Sequence, residues 1–317
     1  MPEEVLSAPA SVKPLALCVL GMHRSGTSAL TGLLHLLGVD LGRHLMKPGR
    51  GNPSGFWEYK PIVDAQIALL SAIGSTDDDY LPLPEGWERR PAALAFQHEI
   101  QELVWKEFAG KKMWAFKDPR TCRLLPMWHS IFLTLRMDSR FILILRDPTE
   151  IAANWMAGDS QRYIKTSLMT LTHMLQSERH TRGHKRVLVT YDQVLTDWKA
   201  TMDKVASVLQ IQWPRTMDSA TSRISEFINP SLRHHRVADP AKSENALIEG
   251  GCDPQIARWT FAVYNALFAA ATGSDAEETL KKSQPFLDRI AEDFNRVAPA
   301  YLHWRPMGTP WWMPLTG

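Results

Sequence analysis

The stretch Leu15-Ala-Leu-Cys-Val-Leu-Gly-Met-His-Arg-Ser-Gly-Thr-Ser28 decides how the chain is read. Its first six residues form an unbroken apolar run closed by Gly21. A run that short and that apolar reads as a strand buried on both faces of a parallel sheet. A helix is expected from about Gly26 and Thr27, with Ala29, Leu30, Leu33, Leu34 and Leu37 on its inner face and Gly38 ending it. Between strand and helix, Gly21 and Gly26 are spaced G-x-x-x-x-G and followed by Thr27 and Ser28. Glycines there let several backbone N–H groups converge on one anion. The helix N-terminus adds its partial positive charge, and Ser25, Thr27 and Ser28 offer hydroxyls. A triphosphate-binding loop of this spacing carries lysine where Thr27 stands. Here the nearest cation is Arg24, inside the loop. The pattern therefore suits a phosphate bearing a transferable group better than a magnesium-bound triphosphate. The plain alternative is a Gly/Ser-rich turn with no ligand.

Working outward, further strands are expected at Met113–Phe116, Phe141–Leu145 and Val187–Thr190. Helices are expected at about 58–72, 91–108, from 149, 163–182, 197–209, 253–271 and 277–297. Val39–Phe56 and Thr76–Gly86 read as loops, the first long enough to suggest a functional role. Strands alternating with helices imply crossover units and an α/β fold, a three-layer parallel sheet flanked by helices. The 317 residues suit a single domain over 14–300, after a polar lead at 1–13 and before a Trp/Pro-rich tail at 301–317. A net charge of +2 is too small to argue for nucleic acid as a partner. The three cysteines, Cys18, Cys122 and Cys252, lie far apart, which argues against a disulfide framework or a zinc site. No run approaches the roughly 20 apolar residues that span a bilayer, and no signal peptide is evident, so a cytoplasmic location is expected.

Three segments, in order, resemble the sulfotransferases that use 3′-phosphoadenosine 5′-phosphosulfate (PAPS), a family of P-loop NTPase-like fold. His23-Arg-Ser-Gly-Thr-Ser28 is similar to the family's 5′-phosphosulfate loop. Phe141-Ile-Leu-Ile-Leu-Arg-Asp-Pro148 is similar to its 3′-phosphate strand and turn. Lys117-Asp-Pro-Arg120 resembles a segment of bacterial and protein-tyrosine members, and Val187-Leu-Val-Thr-Tyr-Asp192 a recurring strand. The likeness spans about residues 15–240. It implies that Arg24, Ser25, Gly26, Thr27 and Ser28 hold the 5′-phosphosulfate and that Arg146 holds the 3′-phosphate. The family's serine eight residues after that arginine is Asn154 here, whose amide can still donate. The resemblance also implies a late basic loop over the 3′-phosphate, for which Arg233 and Arg236 in Ser231–Arg236 are candidates; a solvated charged face is the alternative.

The reaction so implied moves a sulfuryl group from PAPS to an acceptor hydroxyl or amine and releases 3′,5′-diphosphoadenosine (PAP). The acceptor must lose a proton as it attacks sulfur in line, which calls for a general base. The histidine of small-molecule members has no match here. Other members use a glutamate shortly after the first helix, and Gly51-Asn-Pro-Ser-Gly-Phe-Trp-Glu58 fits that pattern. Glu58 could instead cap the next helix. His23 is the second choice for the base, or else a structural donor. Lys117 and Arg120, oriented by Asp118, are placed to steady charge on the transferring group or to touch substrate, against a surface ion-paired turn. Arg146 could alternatively pair with Asp147. No spacing suggests a metal. Trp304, Trp311 and Trp312 could stack on an acceptor or simply pack. A kinase or NTPase, and a non-catalytic nucleotide-binding protein of the same fold, remain the rival functions. The acceptor and the oligomeric state are not legible.

Overall fold

The four apolar runs become parallel strands in the computed structural model, which describes residues 13–49, 52, 55–155, 162–228 and 243–304. They are β1 (Leu15–Leu20), β2 (Met113–Lys117), β3 (Asp138–Leu145) and β4 (Arg186–Thr190). The sheet order is β2-β1-β3-β4, so the first strand lies inside. Val19 aligns with Lys117 on one side and Ile142 on the other, and Leu145 with Thr190. This register brings the carboxyl ends of all four strands to one edge.

The helices follow in chain order as α1 (Thr27–Leu36), α2 (Lys60–Ala72), α3 (Pro91–Phe108), α4 (Thr121–Thr134), α5 (Pro148–Asn154) and α6 (Arg162–His180). Then come α7 (Tyr191–Thr196), α8 (Trp198–Leu209), α9 (Met217–Phe227), α10 (Ser243–Glu249), α11 (Pro254–Thr272) and α12 (Ala276–Val297). Alternation along each strand sorts them into two outer layers. Leu15, Leu17 and Val19 of β1 join Ile142, Ile144, Val187 and Val189 under α1, α8 and α9. Ala16, Cys18 and Leu20 face the other way, with Phe141 and Leu143, into a larger core against α2 to α6, α11 and α12.

The expected strands and helices are all present within a few residues. α4, α7, α9 and α10 are not among the sequence expectations. α4 carries Pro126 in its interior, which breaks the pattern of a helix on paper. α7 and α10 are six and seven residues long, too short for a period to show. α9 is largely polar, with Ala220 and Ile224 buried.

One aromatic column ties β2 to its helices. Phe108 stacks on Trp114 at 4.2 Å between ring centres, and Phe116 on Trp128 at 4.1 Å. Trp128 also donates from Nε1 to Oε1 of the buried Gln66 at 2.8 Å, so it joins core packing to a polar network described below. Trp128→Ala is expected to cost about 3–5 kcal/mol, the range for deleting a buried large aromatic. Urea unfolding measures this, and a midpoint like that of the parent chain would refute the column's role.

Candidate active site

The loop Gly21–Ser28 leaves the carboxyl end of β1, where ligands of open α/β sheets bind. Gly26 holds a left-handed φ of 95° and Arg24 one of 68°. A Cβ on Gly26 would lie 2.3 Å from Cδ2 of Tyr191, so the tyrosine ring packs directly on that glycine. A Cβ on Gly21 would meet the carbonyl oxygen of Ile144 at 2.9 Å. Both glycines are thus required by close approach. Ser25 is buried and donates to the Met22 carbonyl at 2.6 Å, holding the loop's shape. No side chain caps α1, so the positive end of that helix faces the loop.

Arg146, at the end of β3, closes on the same loop. Its NH1 donates to the Arg24 carbonyl at 3.0 Å, and its Nε to Oε2 of Glu150 at 2.9 Å. Its guanidinium sits 4.7 Å over the Tyr191 ring. The alternative pairing with Asp147 is not what forms: Asp147 Oδ1 accepts from the Thr149 and Glu150 N–H groups at 2.8 and 3.4 Å and caps α5. Asn154 ends α5 and donates to the Glu150 carbonyl at 2.8 Å, on its own helix. Burial, and then the neighbouring Arg146, hold Arg24 below the usual arginine pKa. The two arginines expected to grip opposite ends of one nucleotide are adjacent.

Lys117 ends β2 and reaches Oε1 of Glu58 at 2.5 Å and the Ser28 hydroxyl at 3.3 Å. Lys117 is 3% exposed and Glu58 6%. Asn52 donates to the Ser28 hydroxyl at 2.9 Å, and that hydroxyl donates to the Phe56 carbonyl at 3.3 Å. Glu58 precedes α2 by two residues and does not cap it; the cap position is Tyr59 and carries no side-chain bond. Burial pushes the Glu58 carboxyl above the usual glutamate range, with Lys117 opposing and Asp118 adding to the rise. Trp57, directly before it, has φ 59°, left-handed backbone that a bulky residue rarely adopts.

Lys117 and Arg120 do not form a surface turn. Asp118 accepts from Arg120 NH1 at 2.8 Å and from Gln66 Nε2 at 2.6 Å, and Arg120 NH2 reaches Asp77 at 3.1 Å. Of the two cations that Asp118 was expected to orient, Arg120 bonds to it, whereas Lys117 reaches Glu58 and Ser28 instead; Arg120 also ties the site to Asp77 of the 76–86 loop. His23 is buried, its ring 5.9 Å from that of Trp155 and 6.1 Å from that of His173. Burial first, then Arg120 and its other neighbours, hold its pKa well below the usual value, so the ring is neutral at pH 7.

Sequence reasoning missed Tyr191 and Gln66. Tyr191 lies inside the quoted strand-and-turn Val187–Asp192, which hinted at it, whereas a single Gln in an amphipathic helix gives no signal. Arg233 and Arg236 lie outside the described residues, as do Trp311 and Trp312, the lead at 1–12 and the side chain of Trp304. Among the described residues no helix is long and apolar enough to cross a membrane, and no cluster of three or more His, Cys, Asp or Glu could hold a metal ion.

No protein-family model matches the chain, and no curated protein matches it in sequence. Two solved structures are similar to it in chain path. The sulfotransferase domain from the Synechococcus PCC 7002 olefin synthase is 16% identical, covers 82% of this chain and 97% of itself, and has a TM-score of 0.42. The sulfotransferase domain from the curacin biosynthetic pathway is 13% identical, covers 81% of this chain and 99% of itself, also with a TM-score of 0.42. Likeness at this level says nothing of chemistry.

The buried pair makes a direct test of the local electrostatics. Glu58→Gln or Lys117→Met alone strands the partner charge and is expected to cost about 3–5 kcal/mol, whereas the double change should recover much of that loss. A double-mutant cycle by denaturant unfolding reads this. Simple additivity of the two single changes would show that the charges do not interact.

Proposed function

We propose that this chain is a sulfotransferase that uses PAPS as donor substrate and sulfates an acceptor hydroxyl or amine. The observation that carries the reading is the convergence of Arg24 and Arg146 on one loop: the Arg146 guanidinium lies 3.0 Å from the Arg24 carbonyl. An uncapped helix start faces that loop, and the Glu58–Lys117 pair lies alongside it at 2.5 Å. The glycine cradle suits close approach of a phosphate, because the backbone there has no Cβ to keep an anion away. Arg24, with Ser25, Gly26, Thr27 and Ser28, would hold the 5′-phosphosulfate. Arg146, with Asn154 and the Arg233–Arg236 loop, would take the 3′-phosphate, bidentately at the guanidinium.

Glu58 acts as general base. A carboxylate whose pKa is raised by burial is a stronger proton acceptor than an ordinary one, and the Lys117 ammonium at 2.5 Å favours its charged form. His23, neutral with a much lowered pKa, is the weaker base of the two. As the acceptor oxygen attacks sulfur, its proton passes to Glu58 and the bond from sulfur to the 5′-phosphate oxygen breaks. Protonation of Glu58 loosens its hold on Lys117, whose ammonium then steadies the charge on the departing PAP oxygen. Asp118 and Arg120 hold this wall in place and border the acceptor.

PAP is expected to raise the thermal midpoint without magnesium, and to do so more than ATP at equal concentration; equal shifts would remove the case for a 3′-phosphate pocket and favour the NTPase rival. Glu58→Gln is expected to lower turnover by about 10²–10⁴-fold, the range for loss of a general base, while PAP affinity holds. Unchanged turnover would end the base assignment, and PAP binding with no transfer in the parent chain against any acceptor would favour the non-catalytic rival. Since Glu58 must be ionised to act and its pKa is raised, kcat should fall on the acid side with a midpoint above the ordinary glutamate value. A midpoint at or below that value would contradict the role.

A further inference from the structure

The Ser28 hydroxyl accepts from Asn52 Nδ2 at 2.9 Å and from Lys117 Nζ at 3.3 Å, and it donates to the Phe56 carbonyl at 3.3 Å. A serine hydroxyl has one hydrogen and two lone pairs, so these bonds use all of them. A carbonyl can only accept, which assigns the hydrogen to Phe56 and leaves both lone pairs to donors. This oxygen has no hydrogen left for an anion. The backbone of Ser28 is a different matter. Ser28 is the second residue of α1, and the helix's first backbone bond runs from the Leu30 N–H to the Gly26 carbonyl at 3.1 Å. The Ser28 N–H comes before that bond and has no acceptor within the helix.

Asn52 is held by its own backbone before its side chain is used. Its N–H donates to the Gly49 carbonyl at 2.9 Å, and its carbonyl accepts from the Gly49 and Gly55 N–H groups at 3.3 and 3.1 Å. The long loop after α1 is tied into a turn there, and the amide is laid on a hydroxyl 24 residues earlier in the chain. Lys117 receives the benefit. An ammonium has three N–H bonds, and Glu58 Oε1 and Ser28 Oγ take two of them. These two acceptors behave differently during transfer. The Glu58 bond weakens as that carboxylate takes the acceptor's proton, whereas the neutral Ser28 oxygen is unchanged. At that moment Ser28 is the anchor that keeps the ammonium in place.

We propose that Asn52 is a positioning residue: it fills one lone pair of Ser28, holds that oxygen still and so fixes the Lys117 ammonium, while Ser28 meets the phosphosulfate through its N–H alone. The catalytic part rests on the sulfotransferase reading; the linkage from Asn52 through Ser28 to Lys117 does not.

Two measurements on the full chain keep these apart. In lysine-ammonium NMR, the Lys117 signal is expected to exchange with water faster in Ser28→Ala and in Asn52→Ala than in the parent chain. Unchanged exchange would overturn the linkage, whatever group the protein transfers. The second measurement is PAP release from PAPS with water as the acceptor. Ser28→Ala is expected to lower kcat by about 10²-fold, the cost of an ångström-scale misplacement, with KM for PAPS and the Kd of PAP unchanged. Asn52→Ala should lower kcat in the same way, and the double variant should fall no further than Ser28→Ala. A rise of about tenfold or more in the PAP Kd of Ser28→Ala, the loss of a hydrogen bond to a charged group, would make the hydroxyl a direct ligand and refute the proposal. Losses that multiply in the double variant would show that Asn52 does not act through Ser28. Should Ser28→Ala fail to fold, Asn52→Ala carries both measurements, and an unchanged kcat there overturns the role. A parent chain that binds no PAP and releases none from PAPS would fail the sulfotransferase reading instead, and the ammonium spectrum alone would then decide the linkage.

Discussion

Lys117 carries a positive charge to the end of a buried strand, and its surroundings are arranged around that fact. An ammonium at 3% exposure is far from bulk water, and the loss of hydration must be offset by an opposite charge and by dipoles. Glu58 supplies the charge, and the Ser28 hydroxyl the dipole. Glu58 comes from the segment that precedes α2, and Ser28 from the first turn of α1. A single cation therefore joins β2, α1 and the long loop after it. The left-handed backbone at Trp57 is a cost that this arrangement holds in place, since it turns the chain immediately before Glu58.

The same logic runs outward through a second set of buried charges. Asp118 would repel Glu58 if left alone, and Arg120 answers it while also reaching Asp77. Gln66 spans the gap between polar and apolar structure: its Nε2 donates to Asp118 while its Oε1 accepts from Thr121 and Trp128. The charged wall of the site is therefore fixed to the aromatic column of the larger core. Rigid support of this kind keeps a donor or base within the fraction of an ångström that catalysis requires.

Much of this was legible in the chain, for identifiable reasons. Parallel strands buried on both faces appear as plain apolar runs, so Leu15–Leu20 and Phe141–Leu145 announce themselves. The Gly21–Ser28 loop is contiguous, and its glycines have a backbone reason to be there. Lys117 and Arg146 could be singled out because each borders a strand end, and Glu58 because its segment resembles one in PAPS-dependent sulfotransferases. Their partners could not. That Arg146 pairs with Glu150 and not Asp147 depends on Asp147 being drawn to the start of α5, a choice between two carboxylates that spacing alone does not make. Gln66 and the α6 stripe of Thr166, Thr170, His173 and Ser177 look like ordinary polar positions until burial is known. α4 was hidden by Pro126, which a packed helix tolerates and a pattern argument does not.

Tyr191 shows how the Gly21–Ser28 loop and Arg146 depend on each other. It follows β4 directly, and its ring occupies the space that Gly26 leaves open while lying beneath the Arg146 guanidinium. A cation over an aromatic face is held by the ring's quadrupole, and the ring in turn is held by contact with the glycine. Any shift of the loop at Gly26 must move Tyr191, and any shift of Tyr191 removes the surface on which Arg146 rests. The position of the second arginine is thus set by the conformation of the first loop, through one side chain at the start of α7, which follows a strand that pairs with neither β1 nor β2. A site assembled in this way presents its two cations as one unit, and a ligand that engages both must match the spacing that Tyr191 imposes.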